Sequence, residues 1–436
     1  MLKKGDKKLI NAWAFYDWAN SVYSLVISTA VFPIYYAGLT TSEGFANADG
    51  KVAFLGTLWT PTTLYNYALA FSFLVVALLS PMLSGIADYA GNKKKFLKGF
   101  CLLGSLSVMS LFFFTGKETL WVGIVFSILA SIGFWGSIVF YNSYLPEIAH
   151  PKQQDNVSAK GFMLGYVGSI ILLVLCLVLI ETEVFGMYDK QFGSQISFVL
   201  VGLWWLGFAQ VTYSRLPTPE KSKLPKDNYF VKGIKELKKV AKELFGDREL
   251  KIFLISFFLL SIGVQTIILM AGIFGTVLGL PTLNLIGTIL LVQFVGILGA
   301  FLFSRLSNKI GNITTLKITI VIWGVVCFIG FNLTKDTPNV DVYFYVLGAL
   351  IGLVMGAIQS LARSTYSKLL PVTEDNTSYF SFFDVTEKIA LVIGMITYGI
   401  LISLTGSMQW SVLALAIFFL ASFITISTMG KTKYVQ

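Results

Sequence analysis

Apolar runs recur along the whole chain, each close to the roughly 20 residues that a helix needs to cross bilayer hydrocarbon. They predict twelve membrane-spanning helices near 10–37, 62–87, 96–115, 119–142, 157–180, 194–215, 250–279, 283–304, 313–332, 342–362, 377–404 and 409–429. The first run follows Lys3, Lys4, Lys7 and Lys8, as a signal peptide would. Its apolar part is too long and has no small-residue cleavage site, so a retained first helix is expected. Residues 216–249 form the only long polar stretch, opening with Pro217, Pro219 and Pro225, and they split the chain six plus six. The expected organisation is an N-terminal six-helix bundle over 1–215, a linker over 216–249 and a C-terminal six-helix bundle over 250–436. In the linker, Phe230, Ile234, Leu237, Ala241 and Leu244 recur at helical spacing, with Lys232, Lys235, Lys238, Lys239 and Lys242 on other faces. This predicts an amphipathic helix, lying either on anionic lipid at the cytoplasmic surface or against the ends of the bundle helices.

Composition agrees with the pattern. Of 436 residues 55% are hydrophobic and 13% charged, with a mean hydropathy of +0.74, which no soluble globular class shows. An all-α, multi-pass integral membrane protein is expected. With both termini in the cytoplasm, every Lys and Arg falls on the cytoplasmic side except Lys51, Lys117, Lys190 and Lys335 outside and Lys388 within a span. The net charge of +10 is therefore a topology signal and not a nucleic-acid footprint. Cys101, Cys176 and Cys327 lie inside spans without metal-ligand spacing, and the single histidine, His150, lies in a loop, so no metal or cofactor site is expected.

Polar residues inside the spans carry the candidate chemistry. Asp17, Asn20, Ser21, Ser24 and Ser28 form one stripe down the first helix, and a carboxylate at that depth usually faces a water-filled path or a partner. Gln359 and Arg363 share a face at the cytoplasmic end of span ten, where Arg363 either snorkels to the interface or finds carboxylate or carbonyl partners. Asn142 and Glu147 mark the matching end of span four, with Pro146 between them. In span eleven Asp384 is in register with Glu387 and Lys388, an arrangement in which the lysine can hold one carboxylate ionised while the other exchanges a proton. Trp13, Tyr16, Tyr23 and Trp135 are near enough to the polar stripes to line a cavity, and Gly161, Gly165 and Gly168 are spaced for close helix packing.

The two halves echo each other. SGIADYAGN (Ser84 to Asn92) recurs as SRLSNKIGN (Ser304 to Asn312) at an offset of 220, pairing Asp88 with Asn308 and Asn92 with Asn312. Pro146 and Asp155-Asn156 find a second echo in Pro371 and Asp375-Asn376. Gly85, Asp88, Gly91 and the run Lys93 to Lys95 resemble the cytoplasmic loop signature of the major facilitator superfamily, one residue short between Gly85 and Asp88 and with Tyr89 where Arg is usual. Phe15 to Tyr36, Phe140 to Ser169 and Gly356 to Pro371 further resemble the branch that holds the autophagy-linked vacuolar amino-acid effluxer and its bacterial relatives. The resemblance implies the major facilitator fold of two pseudo-symmetric six-helix bundles and a gating role for Gly85, Asp88 and Gly91. It also implies that helices one, four, seven and ten line a central cavity. Asp17, Asn20, Tyr23, Ser24, Trp135, Asn142, Gln265, Gln359 and Arg363 are the candidate substrate-binding residues, and Asp17, Asp384, Glu387 and Lys388 the candidate coupling residues.

Other functions fit less well. A primary pump needs a phosphate-binding loop, and Gly430-Lys431-Thr432 lacks its first glycine and closes the chain. An intramembrane enzyme needs a nucleophile with its base or a metal site, which one loop histidine does not supply, so no enzyme is expected. The expected function is secondary transport of a small polar organic solute, an amino acid or short peptide first, by alternating access. A lipid flippase or scramblase of the same fold is the alternative. Protons and membrane lipids are the further expected partners, and a monomer in the bacterial plasma (inner) membrane the expected form.

Overall fold

The computed structural model describes residues 3–181, 189–217 and 229–430. Pro219, Pro225 and the side chains of Phe230 and Lys232 lie outside the described set. Among the described residues thirteen helices of at least eighteen residues follow one another. The first membrane helix, α1, runs Lys7–Thr40 as one rod whose middle, Tyr23–Val31, is π-helical. After it come α2 (Pro61–Ala90), α3 (Lys93–Ser110), α4 (Leu120–Asn142), α5 (Gln154–Glu181) and α6 (Lys190–Arg215). A surface helix, α7 (Tyr229–Gly246), leads into α8 (Arg248–Val277), α9 (Thr282–Ile310), α10 (Asn312–Asn332), α11 (Val340–Leu369), α12 (Asn376–Thr405) and α13 (Met408–Ser427). Among the described residues eleven helices are long and apolar enough to cross a membrane. The twelfth expected span is α12, also thirty residues long, charged at Asp384, Glu387 and Lys388 and apolar from Ile389 onward.

Local chemistry sets the helix ends. Asp6 caps α1 by accepting from the N–H of Lys8 (2.7 Å) and Leu9 (3.2 Å), and Asp247 caps α8 in the same way. Gly91 ends α2 in the left-handed conformation, φ 59°, which a glycine adopts without steric cost. Between α4 and α5, Pro146 sits in the first turn of the short helix Leu145–Ile148, so the chain turns where the sequence placed the break. The apolar runs did not reveal a small hairpin between α1 and α2, in which Val52–Phe54 pairs antiparallel with Thr57–Trp59. Leu55 (φ 50°) and Gly56 (φ 76°) make its two-residue turn.

Two apolar cores form, one drawing its buried residues from Leu9 to Leu216 and the other from Val240 to Met429. They meet where α5 packs on α9 and α11, and where α2 and α4 pack on α12. Gly5 donates to the Ile148 carbonyl and Gly430 to Glu249 at the start of α8, and the side that holds these helix ends with Lys93, Glu147 and Asn376 is called here the terminal face. The linker helix α7 resolves the choice left open above by packing on protein. Val240 and Leu244 are fully buried in the second core, Lys239 pairs with Asp375 (3.0 Å), and Tyr379 donates to Glu243 (2.9 Å). These bonds to Glu236 and Asp375 hold the Lys239 ammonium above its usual pKa. The cysteines are buried packing residues with free thiols.

Candidate functional site

Three glycines let α1 and α5 approach closely enough to bury polar groups. A β-carbon at Gly161 would collide with the Asp17 carboxylate, one at Gly165 would meet Ser21 Oγ at 2.5 Å, and one at Gly168 the Trp18 carbonyl at 2.9 Å. The packing reading of this triplet therefore holds, and at Gly161 the space is filled by a charge. Asp17 Oδ2 accepts from Tyr141 Oη (2.9 Å) and from both Nη1 and Nη2 of Arg363 (3.3 Å each). Arg363 also donates from Nε to Ser158 Oγ (2.9 Å), from Nη1 to Asn142 Oδ1 (3.1 Å) and from Nη2 to the Ser158 carbonyl (2.8 Å). The rings of Phe162 and Trp13 lie 4.2 and 4.9 Å from the guanidinium. Arg363 thus does not snorkel. It is 3% exposed and ties α11 of the C-terminal half to α1, α4 and α5 of the N-terminal half. One helical turn away, Tyr166 on α5 donates to Gln359 Oε1 on α11 (2.8 Å), a second contact between the halves.

The span-eleven group forms a separate cluster. Lys388 Nζ lies 3.2 Å from Asp384 Oδ1 and 3.2 Å from Glu387 Oε2, and 3.4 Å from the centre of the Trp135 ring on α4. Gln265 on α8 donates to Glu387 Oε1 (2.6 Å). Asp384 Oδ2 is buried without a hydrogen-bond partner.

At the terminal face the sequence echoes meet one another. Asp88, at the end of α2, accepts the backbone N–H of Thr377 (3.2 Å) and Ser378 (2.6 Å) in the first turn of α12. In the mirrored position, at the end of α9, Ser307 donates to Asp155 Oδ2 (2.9 Å) and Asn308 to Asn156 Oδ1 (3.1 Å) in the first turn of α5. Asn312 and Lys368 also bind Asp155, at 2.9 and 2.7 Å. Glu147 pairs with Lys93 and accepts from Asn376 (3.0 Å). Gly85 is buried within α2, and Gly91 supplies its left-handed end.

Two candidates fall elsewhere. Tyr23 is buried in the N-terminal core, its ring 4.9 Å from Phe134 and 5.9 Å from Trp205. Ser24 is exposed, and its carbonyl accepts from Thr29 Oγ1 (2.9 Å). From Tyr23 to Val31 α1 is π-helical, and its wider turn departs from the 3.6-residue phase on which the stripe was drawn. On the seventh span, α8, Gln265 bonds Glu387 of the second cluster, while α5 joins α1, α4 and α11 around Arg363. Tyr141, Ser158, Tyr166 and Asp155 were missed as site residues. The signal present in the sequence was Asp155-Asn156 within the second echo, while Tyr141 and Ser158 read as ordinary span residues.

A family model described as "Vacuole effluxer Atg22 like" matches residues 5–433. The chain is 31% identical over 431 residues to an uncharacterized MFS-type transporter, YxiO, of Bacillus subtilis, covering 98% of this chain and 96% of that one. It is 23% identical to autophagy-related protein 22 of Coccidioides immitis, over 92% of this chain and 83% of that one. Among solved structures it resembles the major facilitator transporter FucP in the outward conformation (TM-score 0.64, 13% identity, 98% of both chains covered). It also resembles the proton:xylose symporter XylE (TM-score 0.67, 12% identity, 96% of this chain and 93% of that one). With the twelve-helix fold and a match spanning nearly its whole length, the chain belongs to the Atg22-like family of major facilitator superfamily transporters.

Proposed function

We propose that this protein moves a small polar organic solute, an amino acid or short peptide first, across the bacterial plasma membrane by alternating access, with both termini cytoplasmic. The observation that carries the reading is the buried Asp17–Arg363 pair, which joins the two halves through four helices toward the terminal-face ends of α4, α5 and α11. A buried pair of this kind adds little net stability over a well-packed apolar contact. Its value lies in being breakable, because hydration of the separated groups offsets the lost contact when the halves part. Asp17, Asn20, Asn142 and Gln359 surround the place where a solute would be held. Asp384, Glu387 and Lys388 are the proposed proton-coupling group, and Asp88 with its glycines the proposed gate. The effluxer description of the family, with the sequence resemblance to the branch of the vacuolar amino-acid effluxer, favours the solute class.

Thermal-shift screening of the purified protein against amino acids, short peptides, sugars and nucleosides at two pH values tests the solute class, followed by counterflow in liposomes. Stabilisation and counterflow by an amino acid or peptide are expected. A protein stabilised and exchanging only with sugars or nucleosides would refute the assignment.

A further inference from the structure

The facing surfaces of the two halves, above the terminal-face contacts, carry three carboxylates, Asp17, Asp384 and Glu387, against two cations, Arg363 and Lys388. Both cations are already committed. A guanidinium has five N–H donors, and those of Arg363 go to Ser158 Oγ, the Ser158 carbonyl, Asn142 Oδ1 and, twice, Asp17 Oδ2. Lys388 is held between two carboxylates and the Trp135 face. The acceptors are not so committed. Every bond to the Asp17 carboxylate goes to Oδ2, and among the described residues Oδ1 accepts none. Asp384 Oδ2 is buried and unpartnered. One turn beyond Asp17 on the same face of α1, Asn20 is 1% exposed and its Nδ2 donor has no partner. A buried amide N–H left unpaired costs free energy that a bound acceptor would recover.

From this inventory we infer that the solute is read by its ammonium group at Asp17 Oδ1 and by a carbonyl oxygen at Asn20 Nδ2, and that a carboxylate charge is not read. The inference rests on the solute class proposed above and sharpens it. Residues three apart on a helix have β-carbons about 5–6 Å apart, a spacing that suits an ammonium and a carbonyl on adjacent carbons. The excess negative charge of the interior favours a cationic group and penalises a net anion. A zwitterion's carboxylate would meet only the neutral Asn20 amide, so replacing it by a carboxamide keeps the contact that matters. Removing the amine takes away the single charge-assisted bond.

The test uses the full chain in detergent and three matched series: the L-amino acids, their C-terminal amides, and the 2-hydroxy acids in which hydroxyl replaces the amine. For any amino acid that stabilises the protein, its amide should bind within about threefold and its hydroxy acid about thirtyfold more weakly, the range of one hydrogen bond to a charged group. Asp17→Asn should abolish the preference for amine, and Asn20→Ala should weaken amino acid and amide alike. The analogue series on the unaltered protein needs neither variant to fold. An amino acid that binds while its amide does not, with the hydroxy acid retained, overturns the inference and leaves the solute class standing. If no compound of any series binds, the solute class itself fails, and this inference with it.

Discussion

Asp88 caps a helix it does not belong to: its Oδ2 accepts the backbone N–H of Ser378 at 2.6 Å, and its Oδ1 that of Thr377. The residue preceding α12, Asp375, makes no capping bond of its own. The exposed N–H groups and positive end of α12 are therefore satisfied by a carboxylate from the opposite half. Separating α2 from α12 uncaps the helix, so the same bond that completes secondary structure holds the two halves together.

Substituting Asp88→Asn keeps an acceptor but removes the charge facing the helix end. A charge at a helix N-terminus is worth about 0.3–1 kcal/mol, so the equilibrium between cap-engaged and separated forms should move about two- to fivefold toward separation. Alkylation of a cysteine placed at Ser378 or Ser143 would report it, and an unchanged alkylation rate would remove Asp88 from the gate.

Arg363→Ala should destabilise strongly, because Asp17 is left as an uncompensated buried charge, a change that costs about 3–5 kcal/mol in comparable pairs. Adding Asp17→Asn to the same chain should recover much of that loss. Thermal unfolding of the two variants and the double variant measures the recovery, and an additive double variant would mean that the groups do not act as a pair.

At the second cluster the same logic predicts that Lys388→Met damages the protein broadly, since Asp384 and Glu387 lose their cation. Glu387→Gln should be milder in stability, because Gln265 and Lys388 can still bond a carboxamide. Its effect should instead appear in transport, with pH-gradient-driven accumulation lost and counterflow retained. Normal accumulation by Glu387→Gln would place coupling elsewhere.

Orientation is checked by labelling. Single cysteines at Ser42 and Asn339 should react with an impermeant maleimide in intact cells, whereas one at His150, exposed on the terminal face, should react only after permeabilisation. The expectation follows from the distribution of Lys and Arg. The opposite pattern would invert the topology.

The sequence by itself determined what depends on periodicity and solvent. Apolar length fixes the spans, because a backbone in hydrocarbon must satisfy its own hydrogen bonds. The breaks at Gly91 and Pro146 follow from backbone sterics, and the Asp384–Lys388 pair from helical spacing. Even the terminal-face contacts were foreshadowed, since the two echoes around Asp88 and Asp155 turn out to bind each other's first turns crosswise. Only the tertiary structure decided which polar residue meets which. Arg363 and Asp17 are 346 positions apart, and nothing local distinguishes an arginine that snorkels from one that makes five buried hydrogen bonds. Tyr141, Ser158 and Tyr166 acquire their roles only when α5 closes on α1 and α11, an approach that Gly161 permits by leaving room for a carboxylate. The π-helical stretch Tyr23–Val31 within α1 was equally hidden, because a pattern read at 3.6 residues per turn carries no sign of a wider turn.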